Sequence, residues 1–273
     1  MTLPITVEIL SIGNELLRGE ILDTNTQWLC GLVTGRGGWV GRVTLLPDVE
    51  DEIAEAVRSA IDRGVDVLIT SGGLGPTDDD LTLAAVARGV GVDLVLTPLA
   101  RDMVRASYDD FHARGIIAAG GLNPFREKMA HLPAGAEPLV NPVGTAPGVL
   151  LQVGNTVIIS LPGVPPELKA IVSQTLAGFL DRTFGRGSSA SRLLTVRCND
   201  ESIMAPALTG AVARHPHVYI KSLARALGEV PELDILLLAT GDDLQGLQRE
   251  VDAARADLEQ GLTALGLVYR DKA

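Results

Sequence analysis

Along about the first 180 positions, short apolar runs rich in β-branched residues alternate with longer stretches in which apolar residues recur at helical period. That alternation predicts a parallel sheet covered by helices and wound right-handedly. Val7 to Ile12 (VEILSI) and Val65 to Thr70 (VDVLIT) read as central strands. Between them the pattern gives a short helix over Thr26 to Thr34, a strand over Val40 to Leu46, and a helix over Glu50 to Arg63 that Asp48 can cap. A polar loop follows Thr70, then helices from about Asp80 to Arg88, after Thr97-Pro98, and after Asn123-Pro124, where proline takes the first helical position. Gly148 to Gln152 and Thr156 to Leu161, joined by Gly154-Asn155, read as a hairpin, with a helix over Pro165 to Arg182 behind it.

The small, polar segment Gly185 to Ser191 reads as a flexible boundary between domains spanning residues 1–184 and 192–273. Beyond it the pattern is strand (Leu193 to Cys198), helix (Glu201 to Ala213), strands (Val218 to Leu223 and Leu233 to Thr240), helix (Asp243 to Leu265) and a last strand at Leu267 to Tyr269. That order suggests a small α+β domain of the ferredoxin-like or a related split βαβ type.

An apolar fraction of 46% and a charged fraction of 21% describe a soluble globular chain and exclude disordered, collagen-like and disulfide-scaffold classes. With 3% aromatics the cores must be aliphatic, which argues against reading nucleic acid by base stacking. The net charge of −11, of which −9 falls in the first 185 residues, repels phosphate backbones, so no nucleic-acid partner is expected. Cys30 and Cys198 lack metal-ligand spacing and read as reduced thiols of a cytoplasmic protein. The N-terminal run carries Glu8 and no basic segment, unlike a signal peptide, and no apolar run has the length of a membrane helix.

The densest chemistry is S-G-G-L-G-P-T-D-D-D-L-T, from Ser71 to Thr82, between a strand and a helix. Gly72, Gly73 and Gly75 let the backbone turn tightly and bring N–H groups, with Thr77, to a phosphate at a helix start. Asp78, Asp79 and Asp80 would oppose that phosphate, so a polyphosphate here calls for a bridging divalent cation of the magnesium type. An ordinary Gly-Pro turn with an acidic cap is the alternative. The loop after the first strand, Gly13-Asn14-Glu15, opens at the same sheet edge and offers Glu15 as a metal ligand or base. Asp23-Thr24-Asn25 precedes a helix and suits a cap. The Gly/Pro-rich stretches N-P-V-G-T-A-P-G (141–148) and L-P-G-V-P-P-E (161–167) read either as rigid turns or as a ligand wall. In the second case Thr145 and Glu167 supply polar contacts beside Gly144, Gly148 and Gly163. Lys128 is a candidate to meet phosphate charge. The four histidines lack zinc spacing, and neither a Walker loop nor a nucleophile elbow is present.

Together E-I-L-S-I-G-N-E-L-L-R-G, S-G-G-L-G-P-T-D-D-D-L-T, N-P-V-G-T-A-P-G and L-P-G-V-P-P-E, in this order, resemble the N-terminal domain of the competence/damage-inducible protein A (CinA) family. The resemblance covers about Val7 to Ile171. It implies a molybdopterin-binding-domain-like three-layer α/β/α sandwich with a mostly parallel sheet. It also implies metal-dependent hydrolysis of ADP-ribose at its pyrophosphate, related domains acting on flavin dinucleotide, and self-association, with a homodimer favoured. By motif position Asp79 and Asp80 match the acidic pair after the glycine loop, and Glu15 the first-loop acid. The implied cofactor is Mg, Mn or Co. Ser71 and Asn14 stand where relatives often have Thr, and Lys128-Met129 where Lys-Gln is usual. The C-terminal amidase domain of longer members has no counterpart here, and the second domain, likened in relatives to a KH-type fold, lacks a GxxG loop, so neither amidase activity nor RNA binding is carried over. Alternatives are a non-catalytic binding module for molybdopterin or a nucleotide, and an adenylyltransferase acting on a pterin.

Overall fold

The computed structural model describes residues 4–185, 187–223 and 232–272. The chain divides into two compact units, Met1–Val33 with Gly38–Gly185, and Thr34–Gly37 with Arg186–Ala273. In the first unit the order is β1 (Thr6–Ile12), α1 (Asn14–Leu17), α2 (Thr24–Gly35), β2 (Trp39–Leu46), α3 (Glu50–Asp62), β3 (Val67–Ser71), α4 (Thr82–Val90) and β4 (Leu94–Leu96). It continues α5 (Pro98–Ala113), α6 (Pro124–Lys128), β5 (His131–Pro133), β6 (Glu137–Leu139), β7 (Gly148–Val153), β8 (Thr156–Leu161), α7 (Pro165–Ala170) and α8 (Ala177–Phe184).

Six strands make one sheet in the order β2-β1-β3-β8-β7-β6, in which the first four are parallel and the last two join antiparallel. The central strands are apolar on both sides, so both sheet faces must be covered. Val7, Ile9, Val67 and Ile69 pack with Leu29 and Val33 of α2 and Leu168 and Leu180 of α7 and α8. Leu10, Ile12 and Leu68 pack on the opposite face with Ile53 and Val57 of α3 and Ala85 and Val86 of α4. The result is the three-layer α/β/α sandwich with a mostly parallel sheet. Glu8 is the charged exception within β1, 7% exposed and held by Arg63, whose Nε and Nη2 donate to its two oxygens at 2.8 and 2.6 Å.

Several local readings need correction. Asp48 does not cap α3, whose N-cap position is Val49; its Oδ2 instead accepts the backbone N–H of Asn14 at 2.8 Å, tying the first loop to the end of β2. The helix after the glycine loop begins at Thr82, because Asp78 to Asp80 close a turn of their own, with Asp80 N donating to the Thr77 carbonyl at 3.2 Å. The stretch read as one helix over Pro165 to Arg182 contains a π turn at Ile171–Thr175. That wider turn keeps Ile171, Val172 and Leu176 against one core. The short elements α1, β4, β5 and β6 gave no periodicity to read.

The second unit runs β9 (Ser188–Arg197), α9 (Glu201–Arg214), β10 (Tyr219–Leu223), β11 (Glu232–Gly241), α10 (Leu244–Ala264) and β12 (Val268–Asp271). Its antiparallel sheet, in the order β10-β11-β9-β12, is the split βαβ arrangement with ferredoxin-like strand order. Leu194, Val196, Ile235 and Leu237 pack against Val251 and Leu258 of α10. The segment read as a flexible boundary is strand from Ser188 onward, since Ser188 to Ala190 pair with Ala239 to Gly241; Arg186 within it lies outside the described residues. Small residues are compatible with a ladder when the partner strand supplies the pairing.

Candidate functional site

In a mostly parallel sheet the carboxyl ends of adjacent strands leave a crevice that no helix fills. Here the loops after β1, β3 and β8 meet in such a crevice, a cavity of about 560 Å³ within the first unit. Volumes of this order suit a nucleotide-sized ligand.

The glycine loop after β3 is shaped by what it touches. Gly72 has φ 107°, its N–H donates to the Leu161 carbonyl at 3.0 Å, and a Cβ there would lie 2.2 Å from the Ile12 carbonyl oxygen. Gly73, at φ 67°, faces Thr82, whose hydroxyl donates to the Gly72 carbonyl at 2.8 Å. Gly75 passes so close to Asp80 that a Cβ would sit 2.6 Å from Oδ2. Among the described residues the N–H groups of Gly73 and Gly75 have no protein acceptor.

Asp80 Oδ2 accepts from Thr77 N at 2.8 Å and from Thr77 Oγ1 at 2.6 Å, while Asp79 Oδ1 lies 2.5 Å from the same hydroxyl. One hydroxyl proton thus serves two carboxylates. The Thr77 hydroxyl, the Asp79 backbone and nearby Lys128 hold the Asp79 carboxyl below its ordinary range. Lys128 Nζ donates to the Thr77 carbonyl from outside the cavity lining, and in this position it steadies the acidic turn. The repulsion among these acids, taken from the sequence as a demand for a metal, is therefore partly relieved by the protein itself.

Glu15 lines the cavity, its carboxylate folded back over Gly13, where a Cβ would lie 2.5 Å from Oε1. Asn14 is bound through its backbone to Asp48 and stands outside the lining, as do Thr77, Gly144 and Gly148. Gly148 is buried against Ile171. Thr145, Gly163 and Glu167 are in the wall with Gly72, Gly73, Gly75, Asp79 and Asp80. Burial pushes the Glu167 carboxyl up, opposed by the Asn141 amide that donates to it at 2.6 Å.

Asp23 does cap α2, accepting from Thr26 N at 2.9 Å and Thr26 Oγ1 at 2.5 Å, yet it also faces the cavity. Residues missed in the sequence are Ser11, Asn25, Asp48 and Asn141. The available signals were a serine near the carboxyl end of each of two buried strands, Ser11 and Ser71, and an asparagine one step inside a helix already capped by Asp23.

The electrostatic character is one-sided. Glu15, Asp23, Asp48, Asp79, Asp80 and Glu167 line the cavity, and among the described residues no Lys, Arg or His does. Among the described residues no three His, Cys, Asp or Glu side chains converge as a ready-made metal cluster. The donors are nonetheless all oxygen, and a magnesium-type ion takes one or two carboxylates and completes its shell with water and substrate phosphate. Asp79 and Asp80, side by side on the Thr77 hydroxyl, offer carboxylates in that number, and Glu15 lines the same cavity.

Comparison with known proteins gives a family match from residue 8 to residue 182, described as "Probable molybdopterin binding domain". A protein of Pyrobaculum calidifontis is 39% identical over 91% of this chain and 92% of its own length. Protein PAE0875 of Pyrobaculum aerophilum is 39% identical over 97% and 96%. Among solved structures, the protein CinA of unknown function from Thermoplasma acidophilum superposes with a TM-score of 0.58 at 36% identity, covering 64% of this chain and 98% of that one. Among the described residues no helix is long and apolar enough to cross a membrane.

Proposed function

The chain belongs to the family of probable molybdopterin binding domains and is CinA-like, and from that premise we propose that it is a metal-dependent nucleotide pyrophosphatase whose substrate is ADP-ribose. The observation that carries the reading is the contrast within one cavity: backbone N–H groups at Gly73 and Gly75 suited to phosphate, in a wall of six carboxylates to which no described residue adds a basic side chain. A phosphate anion gains nothing from such a wall unless a cation accompanies it.

Asp79, Asp80 and Glu15 would hold a divalent Mg, Mn or Co ion. Bound there, it would neutralise phosphate charge and acidify water. The glycine loop orients the pyrophosphate, and Glu15 receives a proton from the attacking water. Water adds to one phosphorus, the bridging P–O bond breaks, and AMP and ribose 5-phosphate leave, the proton balance going to solvent. Thr145 and Glu167, held by Asn141, shape the nucleoside end. A homodimer, read by light scattering, is part of this proposal.

Incubation of the purified protein with ADP-ribose under each cation, and with chelator, tests it. AMP release that needs the cation is expected. Intact ADP-ribose under every cation, together with saturable binding, would replace the hydrolase with a binding module.

A further inference from the structure

The cavity floor carries two polar atoms that have no partner among the described residues. Ser11 and Ser71 sit opposite each other in the β1/β3 register, on the face that α2 covers. Asn25, in the first turn of α2, reaches Ser71 Oγ with Nδ2 at 3.1 Å. Ser11 is 1% exposed and Asn25 6%, both line the cavity, and among the described residues neither Ser11 Oγ nor Asn25 Oδ1 has a hydrogen-bond partner. Unpaired polar atoms are costly in a protein interior, so two beside one serine, both on a cavity wall, mark a place built for something else.

The orientation of the Asn25 amide is fixed by chemistry. Its Nδ2 also donates to the Gly163 carbonyl at 2.8 Å, and a carbonyl can only accept; turning the amide over would set oxygen against oxygen. The unpartnered atom of this cavity-lining residue is therefore an acceptor. A phosphate oxygen without a proton cannot satisfy it, whereas an O–H or N–H group can. Ser11 Oγ can give or take a hydrogen bond.

Resting on the reading of this cavity as a nucleotide site, we propose that Ser11 and Asn25 form a floor subsite for the uncharged part of the ligand. It takes a group with an O–H or N–H donor, from the pentose hydroxyls or the heterocycle edge, while phosphate stays at the glycine loop. The pair then sets specificity, and the protein pays for it with instability when empty.

Ser11→Ala tests this without endangering the fold, since it deletes an atom that bonds to none of the described residues. Binding of AMP, which the proposed reaction releases and does not consume, is measured by calorimetry with magnesium and with chelator, and thermal unfolding is followed without ligand. Affinity is expected to fall about three- to tenfold under both conditions while the melting temperature stays level or rises. With 2′-deoxy-AMP and 6-hydroxymethylpterin as further probes, a penalty that disappears with the deoxy nucleotide assigns the floor to a pentose hydroxyl; one that persists with the pterin assigns it to a ring edge. Unchanged affinity, with or without a fall in melting temperature, overturns the subsite and leaves the nucleotide reading standing. A loss confined to magnesium assigns the floor to a cation and also overturns it. If the wild-type protein binds none of these probes, the nucleotide reading and the subsite fall together.

Discussion

The side-chain amide of Asn141 donates to the Glu167 carboxylate at 2.6 Å and to the Ala146 carbonyl at 2.8 Å. Its oxygen accepts the backbone N–H groups of Val143 and Gly144 at 3.2 and 2.9 Å. One asparagine thus shapes the loop after β6 and pins it to the first turn of α7. The fit leaves no room at Gly144, where a Cβ would lie 2.1 Å from the Glu167 carboxyl.

Burial raises the Glu167 carboxyl above its ordinary 4.5, so the folded state takes this proton more readily than the unfolded chain. The stability tied to it is complete below the ordinary value and is lost as pH rises through the raised one. Glu167→Gln keeps the acceptor for Asn141 and removes the titration. Melting curves from pH 4 to pH 8 should show the variant gaining on the wild type as pH rises. A constant difference would mean that Glu167 titrates as an exposed acid.

Gly72 and Gly91 both have positive φ, 107° and 84°, but only Gly72 faces an obstacle, the Ile12 carbonyl. Alanine at Gly91 is expected to cost about 1 to 2 kcal/mol, the backbone term alone. Alanine at Gly72 should cost at least about 3 kcal/mol, because the strand ends must also move apart. Urea unfolding of the two variants checks the order, and equal losses would refute the contact.

Asp80 closes the acidic turn from an accessible position, so Asp80→Ala should leave the circular dichroism spectrum unchanged and cost about 1 kcal/mol, the scale of a lost cap. Release of AMP from ADP-ribose should fall at least about a hundredfold. Full turnover in this variant would remove Asp80 from the chemistry.

Arg63→Ala strands the Glu8 carboxylate inside β1, and a loss of about 2 to 3 kcal/mol is expected, less than for a wholly buried pair because Arg63 is 38% exposed. Adding Glu8→Gln should restore part of it. A double variant no better than the single would show that Glu8 reaches solvent once the arginine is gone.

The sheet was legible because its central strands have to be apolar on both sides, and runs such as VEILSI and VDVLIT cannot sit comfortably elsewhere. The split order of the second unit followed from its alternation of strands and helices. The three-residue strands β4, β5 and β6 are shorter than any period and were invisible. In the site, glycine and aspartate spacing pointed to the loop at Ser71 to Thr82, since steric freedom and charge are local properties. Asn25 and Asn141 act through contacts across 46 and 26 positions, to Ser71 and Glu167, and no local pattern reports such a distance. Asp48 was misread for the same reason: its partner, Asn14, lies 34 positions away.

The wall of six carboxylates also bears on how a ligand arrives. A free nucleotide approaching this mouth meets repulsion before it makes any contact, so the encounter rate would rise with ionic strength, opposite to the behaviour of a basic cleft. A nucleotide already paired with its cation meets much less of that barrier, which makes the preformed complex the kinetically favoured visitor.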